Sequence, residues 1–252
     1  RLKKRRMKLT EQIKDNPPIY QIEKHFGPSI CHIQLPEKAL KNLTKMTDDL
    51  LRNPNTVDHG KHLVSLIHNE KYIYQQDFID AGVNDLLEGC VRTFIEQHAK
   101  KMAMSENYKI STRINAAWIV SQKQNEYNPI HAHSRSEISG IIYIKTPDVK
   151  GRRKIKSKEG HRENDGDILF PYSSSDREED ILSNGVLQIK PEEGLMLLFP
   201  SWLLHTVYPF IGKEERRSIS FNANYIIHTP GHQWVAGSSE GLNSKFQYWD
   251  KN

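Results

Sequence analysis

Near Lys109 the spacing of apolar residues changes period, and this change constrains the fold more than any other feature of the chain. Downstream, short apolar runs alternate with turns: Ile114–Val120, Ile138–Ile144, Asp167–Phe170, Gly185–Ile189, Leu195–Phe199 and Ser218–Ile227. Runs of that length bounded by turn residues read as β-strands. Upstream, the spacing is helical. Leu40, Leu43, Leu50 and Leu51 follow Pro36 and Glu37, and Asn53-Pro54 ends that helix. A second helix is predicted from about Asp77 to Lys101, with Val83, Leu86, Leu87, Cys90, Val91, Phe94 and Ile95 as its apolar stripe. Helices with one apolar face must pack against something. The expected fold is therefore mainly β with helices, a jelly-roll or cupin-type barrel with an N-terminal helical layer packed on one sheet. The expected division is 1–108 for the helical layer and leading strands, 109–230 for the barrel, and 231–252 for a tail. Lys150–Asp167, dense in charge and containing RRKIKSK, is predicted to be a long exposed loop, as is Asp176–Asp180.

Charge narrows the choice of partner. The formal net charge is +5, but six of the first eight residues are basic. Without them the 36 basic residues fall to 30, against 31 acidic. The body is then close to neutral, which argues against a nucleic-acid partner. RLKKRR is expected to be a remnant of expression or upstream translation, with Met7 as the natural start; a basic arm that touches phosphates is the other reading. No apolar run approaches the roughly 20 residues of a membrane-spanning helix. Cys31 and Cys90 are the only cysteines and do not make a disulfide framework. A cytoplasmic location is the expectation. Cys90 is expected in the core.

Three histidines carry the chemical argument. His131 and His133 stand two apart at the mouth of a predicted strand, in NPIHAHSRSEISGIIYI. Residues i and i+2 of a strand point to one face, so both imidazoles enter one cavity. His205 lies in LMLLFPSWLLHTVYPF, just beyond another apolar strand. The alternation of RRSISFNANY then places Arg216, Ser218, Ser220, Asn222 and Asn224 on one face and Arg217, Ile219, Phe221, Ala223 and Tyr225 on the other. A polar face in solvent is one reading. A polar face in a barrel lumen is the other, and there an arginine fork suits a buried carboxylate.

HxH before a strand, FPSWLLHTV and RRSISFN together resemble the 2-oxoglutarate/Fe(II) oxygenase superfamily. The resemblance covers roughly Ile114 to Tyr225. It is nearest to an oxygenase group common in marine bacteria and phages, with prolyl 4-hydroxylases more distant. It implies a double-stranded β-helix and the cofactors Fe(II), 2-oxoglutarate and O2, with ascorbate as a further one. The implied reaction hydroxylates a substrate carbon and releases succinate and CO2. By analogy His131 and His205 are metal ligands, and Arg216 with Ser218 binds the far carboxylate of 2-oxoglutarate. Arg217 is the alternative, because a one-residue shift decides which arginine faces inward. Tyr143 is placed to reach the same carboxylate, with core packing as the other reading. Asn115 is a candidate for the pocket, or else bonds to backbone.

The sequence departs from the superfamily at His133, where His-x-Asp/Glu is usual for a two-histidine, one-carboxylate triad. We expect His133 to be a third neutral ligand. Two other readings stay open: Glu137 or water completes the site with His133 outside the metal shell, or two histidines bind the metal alone. The competing function is a cupin-type metal protein without 2-oxoglutarate, either a three-histidine dioxygenase or a non-catalytic binding module. The expected substrate is a small molecule, an amino acid or a peptidyl residue.

Other features take plainer readings. Trp118 is expected in the core, and Trp202 is expected to prop the loop before His205. His161, His228 and His232 are expected at the surface. The tail aromatics Trp234, Phe246, Tyr248 and Trp249 predict docking onto the barrel or onto a second subunit.

Overall fold

The computed structural model describes residues 19–24, 27–60, 63, 65–101, 108–147, 154–157, 160–163, 165–172, 185–229 and 232–235. RLKKRR, Asp176–Asp180, Phe246, Tyr248 and Trp249 lie outside the described residues.

Two antiparallel sheets build the body. The large sheet contains β1 (Ile19–Lys24), β2 (Ser29–Gln34), β3 (Glu70–Ile73), β4 (Lys109–Gln122), β6 (Ile138–Lys145), β11 (Leu195–Pro200), β13 (Arg216–Thr229) and β14 (His232–Val235). The small sheet contains β5 (Asn128–His131), β9 (Ile168–Pro171), β10 (Val186–Ile189) and β12 (His205–Val207). The large sheet runs β1-β2-β11-β6-β13-β4-β3, with β14 on β13, and the small sheet runs β10-β9-β12-β5. From β4 to β13 the chain crosses repeatedly between the two sheets. The result is an eight-strand jelly roll, β4-β13-β6-β11 over β5-β12-β9-β10.

Among the described residues three helices accompany the sheets: α1 (Glu37–Arg52), α2 (Gln75–Asp80) and α3 (Asn84–Lys101). The expected single helix from Asp77 to Lys101 is thus two. Asp77 accepts the Tyr74 N–H at 2.7 Å to start α2, and Gly82 at φ +67° ends the turn between them. That left-handed geometry suits glycine. The leading strands expected before residue 109, which the sequence did not place, are β1, β2 and β3. Within Lys150–Asp167 the expected loop contains a hairpin, β7 (Lys154–Ser157) and β8 (Gly160–Glu163), with His161 on β8.

The alternation of each central strand sorts side chains into two cores. On the outer face of the large sheet, Ile142, Met196, Leu198, Ile219 and Phe221 pack with Leu43, Phe78, Leu87, Cys90 and Phe94 from the helices. Between the sheets, Ile141, Tyr143, Leu197 and Phe199 meet Ile168, Phe170, Leu203 and Val207. The helices therefore cover one face only, and the lumen is left to the barrel strands. Gly140 sits opposite Phe221 in the β6–β13 ladder. A Cβ at Gly140 would lie 2.1 Å from Phe221 Cζ, so the aromatic ring occupies the place of that side chain.

Candidate metal and carboxylate site

The metal ligands converge because of strand pairing. His205 opens β12 and His131 closes β5, and the two are direct register partners. The register shifts between these partners and the Val207–Asn128 pair, so β5 carries an extra residue before His131. His133 lies two residues beyond β5, and its backbone N–H donates to Ser201 O at 2.9 Å. Ser201 in turn donates its hydroxyl to Ser136 O and its N–H to Glu137 O, at 3.0 Å for the latter. The turn before His205 is thus tied to the segment carrying His133. Trp202, in the same turn, is 57% exposed.

One ring nitrogen from each of the three histidines lies within 4.8 Å of those of the other two. His133 Nε2 and His205 Nε2 are 3.3 Å apart. Two ligands about 2.0–2.1 Å from one ion at angles between square and tetrahedral sit roughly 3 Å apart, so this spacing fits a shared metal. The tautomers also fit. Nδ1 of His131 is 2.7 Å from Pro129 O and Nδ1 of His205 is 3.0 Å from Leu203 O. Each Nδ1–H donates to a carbonyl, which leaves the Nε2 lone pair for a metal. Burial keeps the rings neutral. It lowers the pKa of His131, lowers His133 to about 4 and lowers His205 to about 3, with His131 adding repulsion for the latter two. No carboxylate joins the cluster among the described residues. Glu137, expected as one way to complete the site, instead lies close enough to raise the pKa of Tyr225, whose burial is the larger cause.

The cavity continues from the imidazoles to Arg216, Ser218 and Ser220 along β13, and to Trp118, Val120 and Gln122 along β4. Arg216 is 1% exposed. Its Nε donates to Gly166 O at 3.0 Å, and its guanidinium carbon stands 5.1 Å from the centre of the Tyr143 ring. Its Nη2 is buried with no hydrogen-bond partner. Burial lowers the Arg216 pKa, while Tyr143 and Asp167 oppose that shift. Asp167 is itself buried and accepts Gln188 Nε2 at 2.6 Å. The Tyr143 hydroxyl is also buried without a hydrogen-bond partner, and burial raises its pKa to about 12.

Arg217 points the other way. Its guanidinium forks onto Glu215 at 2.8 Å for both nitrogens and reaches Asp48 at 2.6 Å and Thr47 at 3.1 Å, both on α1. That side chain ties the helical layer to β13 and is remote from the lumen. Asn115 does not line the cavity either. It is the extra residue of a bulge in β4, where Asn222 pairs with Ala116 and Ala223 with Ile114. Its Oδ1 is buried with no partner. His228 lies away from the imidazole cluster, its Nε2 3.1 Å from Ser111 Oγ.

Cavity-lining residues that the sequence did not single out include Ile67, Gln122 and Asn128. Trp118, expected in the core, is 4% exposed and is core and cavity wall together. Gln122 shares the parity of Trp118 and Val120, which was the available signal. Its Oε1 and the Oδ1 of Asn128 are buried without partners.

Residues 116–222 match a family model described as "Putative 2OG-Fe(II) oxygenase". No curated relative matches the chain in sequence. Among solved structures, the chain is similar to the non-heme alpha-ketoglutarate-dependent carbocyclase SnoK from nogalamycin biosynthesis, with TM-score 0.49 and 11% identity over 88% of this chain and 87% of that one. It is similar to HygX from Streptomyces hygroscopicus with nickel, 2-oxoglutarate and hygromycin B bound, with TM-score 0.47 and 11% identity over 77% and 82%. It is also similar to a Pseudomonas putida prolyl-4-hydroxylase, with TM-score 0.42 and 14% identity over 81% and 91%.

Proposed function

We propose that the chain, whose residues 116–222 match a family model described as "Putative 2OG-Fe(II) oxygenase", hydroxylates a carbon of a small-molecule, amino-acid or peptidyl substrate, consuming 2-oxoglutarate. The observation that carries this reading is the unsatisfied, buried Nη2 of Arg216 in the same cavity as three neutral imidazoles. A buried donor left unpaired costs about 1–3 kcal/mol, more on a charged group. A ligand carboxylate would remove that cost.

His131, His133 and His205 would hold Fe(II) through their Nε2 atoms. With iron and 2-oxoglutarate bound, O2 is reduced as 2-oxoglutarate is cleaved to succinate and CO2, and a substrate C–H becomes C–OH. The protein's own share is positioning. Pro129 O and Leu203 O hold the ring orientations of His131 and His205. Arg216 would donate to the far carboxylate of 2-oxoglutarate, with Ser218 beside it on the strand and the Tyr143 hydroxyl in reach. Trp118, Val120 and Ile67 form an apolar wall that excludes water from the cavity.

Charge supports the assignment. Three imidazoles add no charge, so a bound ion keeps +2 and Arg216 adds one more. The 2-oxoglutarate dianion together with Asp167 would cancel that sum, and buried charges persist only when paired. The three-histidine set by itself also suits a cupin-type dioxygenase. Such a protein has no use for a buried arginine with a free N–H in the lumen.

Anaerobic Fe(II) titration followed by 2-oxoglutarate tests the proposal. A weak visible charge-transfer band is expected on adding 2-oxoglutarate. Stoichiometric iron binding without that band would point to the cupin-type reading. Succinate release against a panel of amino acids, peptides and small metabolites would then identify the substrate.

A further inference from the structure

The aromatic rings beside His133 continue past the cavity to the protein surface. Ring centroids lie 5.8 Å apart for His133 and Trp118, 5.1 Å for Trp118 and His59, 5.2 Å for His59 and Tyr72, and 4.9 Å for Tyr72 and Tyr74. The β3–β4 ladder pairs Tyr72 directly with Trp118, so the two are cross-strand neighbours as well. β3 is an edge strand of the large sheet. Trp118 is buried, whereas Tyr72 and Tyr74 are part-exposed. The lane therefore starts at a ligand position of the metal site and ends at solvent, with ring packing throughout.

Tryptophan and tyrosine are the aromatic side chains most readily oxidised by one electron. We propose that Trp118, Tyr72 and Tyr74 form a hole-transfer path that drains the metal site when O2 is activated with no substrate in place. The proposal rests on the oxygenase reading above. Trp118 gives one electron to the oxidant formed at the metal from O2 and 2-oxoglutarate. Tyr72 refills Trp118 and Tyr74 refills Tyr72. Each phenol releases its proton when oxidised and regains one when reduced. A one-electron reductant of the ascorbate class restores Tyr74 from solvent. Two such passages supply two electrons, and with two protons from water they reduce the remaining oxygen atom to water and return the metal to Fe(II). His59 packs against both Trp118 and Tyr72 and holds the lane together.

The test uses the full chain loaded with Fe(II), with loading measured first by anaerobic titration. Hydrogen peroxide then serves as oxidant, without 2-oxoglutarate or substrate, so the result is independent of cosubstrate binding. Samples frozen early are read by electron paramagnetic resonance for a tyrosyl radical, and later samples by peptide mass mapping. A tyrosyl signal is expected in the parent protein. Tyr72→Phe should lose most of it and the Tyr72→Phe/Tyr74→Phe double variant all of it, while added oxygen on His131, His133 and Trp118 rises several-fold in both. A signal that persists in the double variant, no signal in the loaded parent, or unchanged oxidation of the histidines would overturn the path. A chain that does not load iron would overturn the oxygenase reading and the path with it.

Discussion

His131 and His205 face each other across the β5–β12 pair, and their ring centroids are 4.2 Å apart. Because the two strands fix both backbones, the rings are brought together before any ion arrives. Such preorganisation lowers the cost of binding.

Removing one of these rings should remove the metal. His205→Ala is expected to weaken Fe(II) binding by more than the roughly 10–100-fold typical of changes to outer partners. His133→Asp should retain iron, since it restores the commoner two-histidine, one-carboxylate set. Anaerobic titration of both variants checks this. Loss of iron in His133→Asp with a folded protein would show that His133 is not a ligand position.

The two arginines of β13 should separate cleanly. Arg216→Ala is expected to raise the 2-oxoglutarate concentration needed for turnover strongly, with little change in iron affinity. Arg217→Ala strands Glu215 and half-exposed Asp48, and should lower stability by about 1–3 kcal/mol. Denaturant unfolding and succinate release, measured side by side, distinguish them. An elevated 2-oxoglutarate requirement in Arg217→Ala at unchanged stability would contradict the geometry.

The imidazole cluster predicts an acid-side loss of stability in the metal-free protein. Burial lowers His131, holds His133 at about 4 and holds His205 at about 3, whereas an unfolded histidine titrates near about 6.5. As pH falls below about 6.5 the unfolded chain takes up protons that the folded chain refuses. The histidine contribution is therefore present above about 6.5 and is lost as pH falls towards 4 and then 3. The midpoint of thermal unfolding should drop between pH 7.5 and 5, and His205→Gln should flatten that slope. Equal slopes in parent and variant would sink the prediction.

Glu70 predicts the opposite trend. It is fully buried on β3, with Oε1 unpartnered and Oε2 accepting the Ser65 hydroxyl. Burial raises its pKa to about 7, Asp58 and Glu126 add to the rise, and the Ser65 bond opposes it. The folded chain thus keeps a proton that the unfolded chain gives up above about 4.5. That contribution is present at acid pH and lost as pH rises through 7. Glu70→Gln retains an acceptor for Ser65 and should raise the unfolding midpoint at pH 8 while changing it little at pH 4.5. A midpoint unchanged at pH 8 would mean the carboxylate is not destabilising there.

Period and parity made much of this protein legible beforehand. The strand train from Ile114 to Ile227 and the opposite parity of Arg216 and Arg217 follow from two-residue alternation, and the core placement of Cys90 from helical spacing; both depend only on local backbone geometry. The break between α2 and α3 was harder to see, because a lone Gly82 inside a helical pattern does not announce a left-handed turn. Asn115 was misplaced for a related reason: a bulge shifts parity by one residue, and its presence depends on the partner strand.

The sequence by itself determined which residue types were available: three histidines without a neighbouring acid, adjacent arginines of opposite parity, and strands enough for two sheets. Only the tertiary structure decided that β5 and β12 are neighbours, that Arg216 keeps an unused buried N–H while Arg217 is consumed by α1, and that Asp167 lies close to Arg216. The reason is physical. Alternation is set by bonds within one strand, whereas convergence of segments about seventy residues apart depends on which strands pair, and pairing is settled by burying both faces of the large sheet at once.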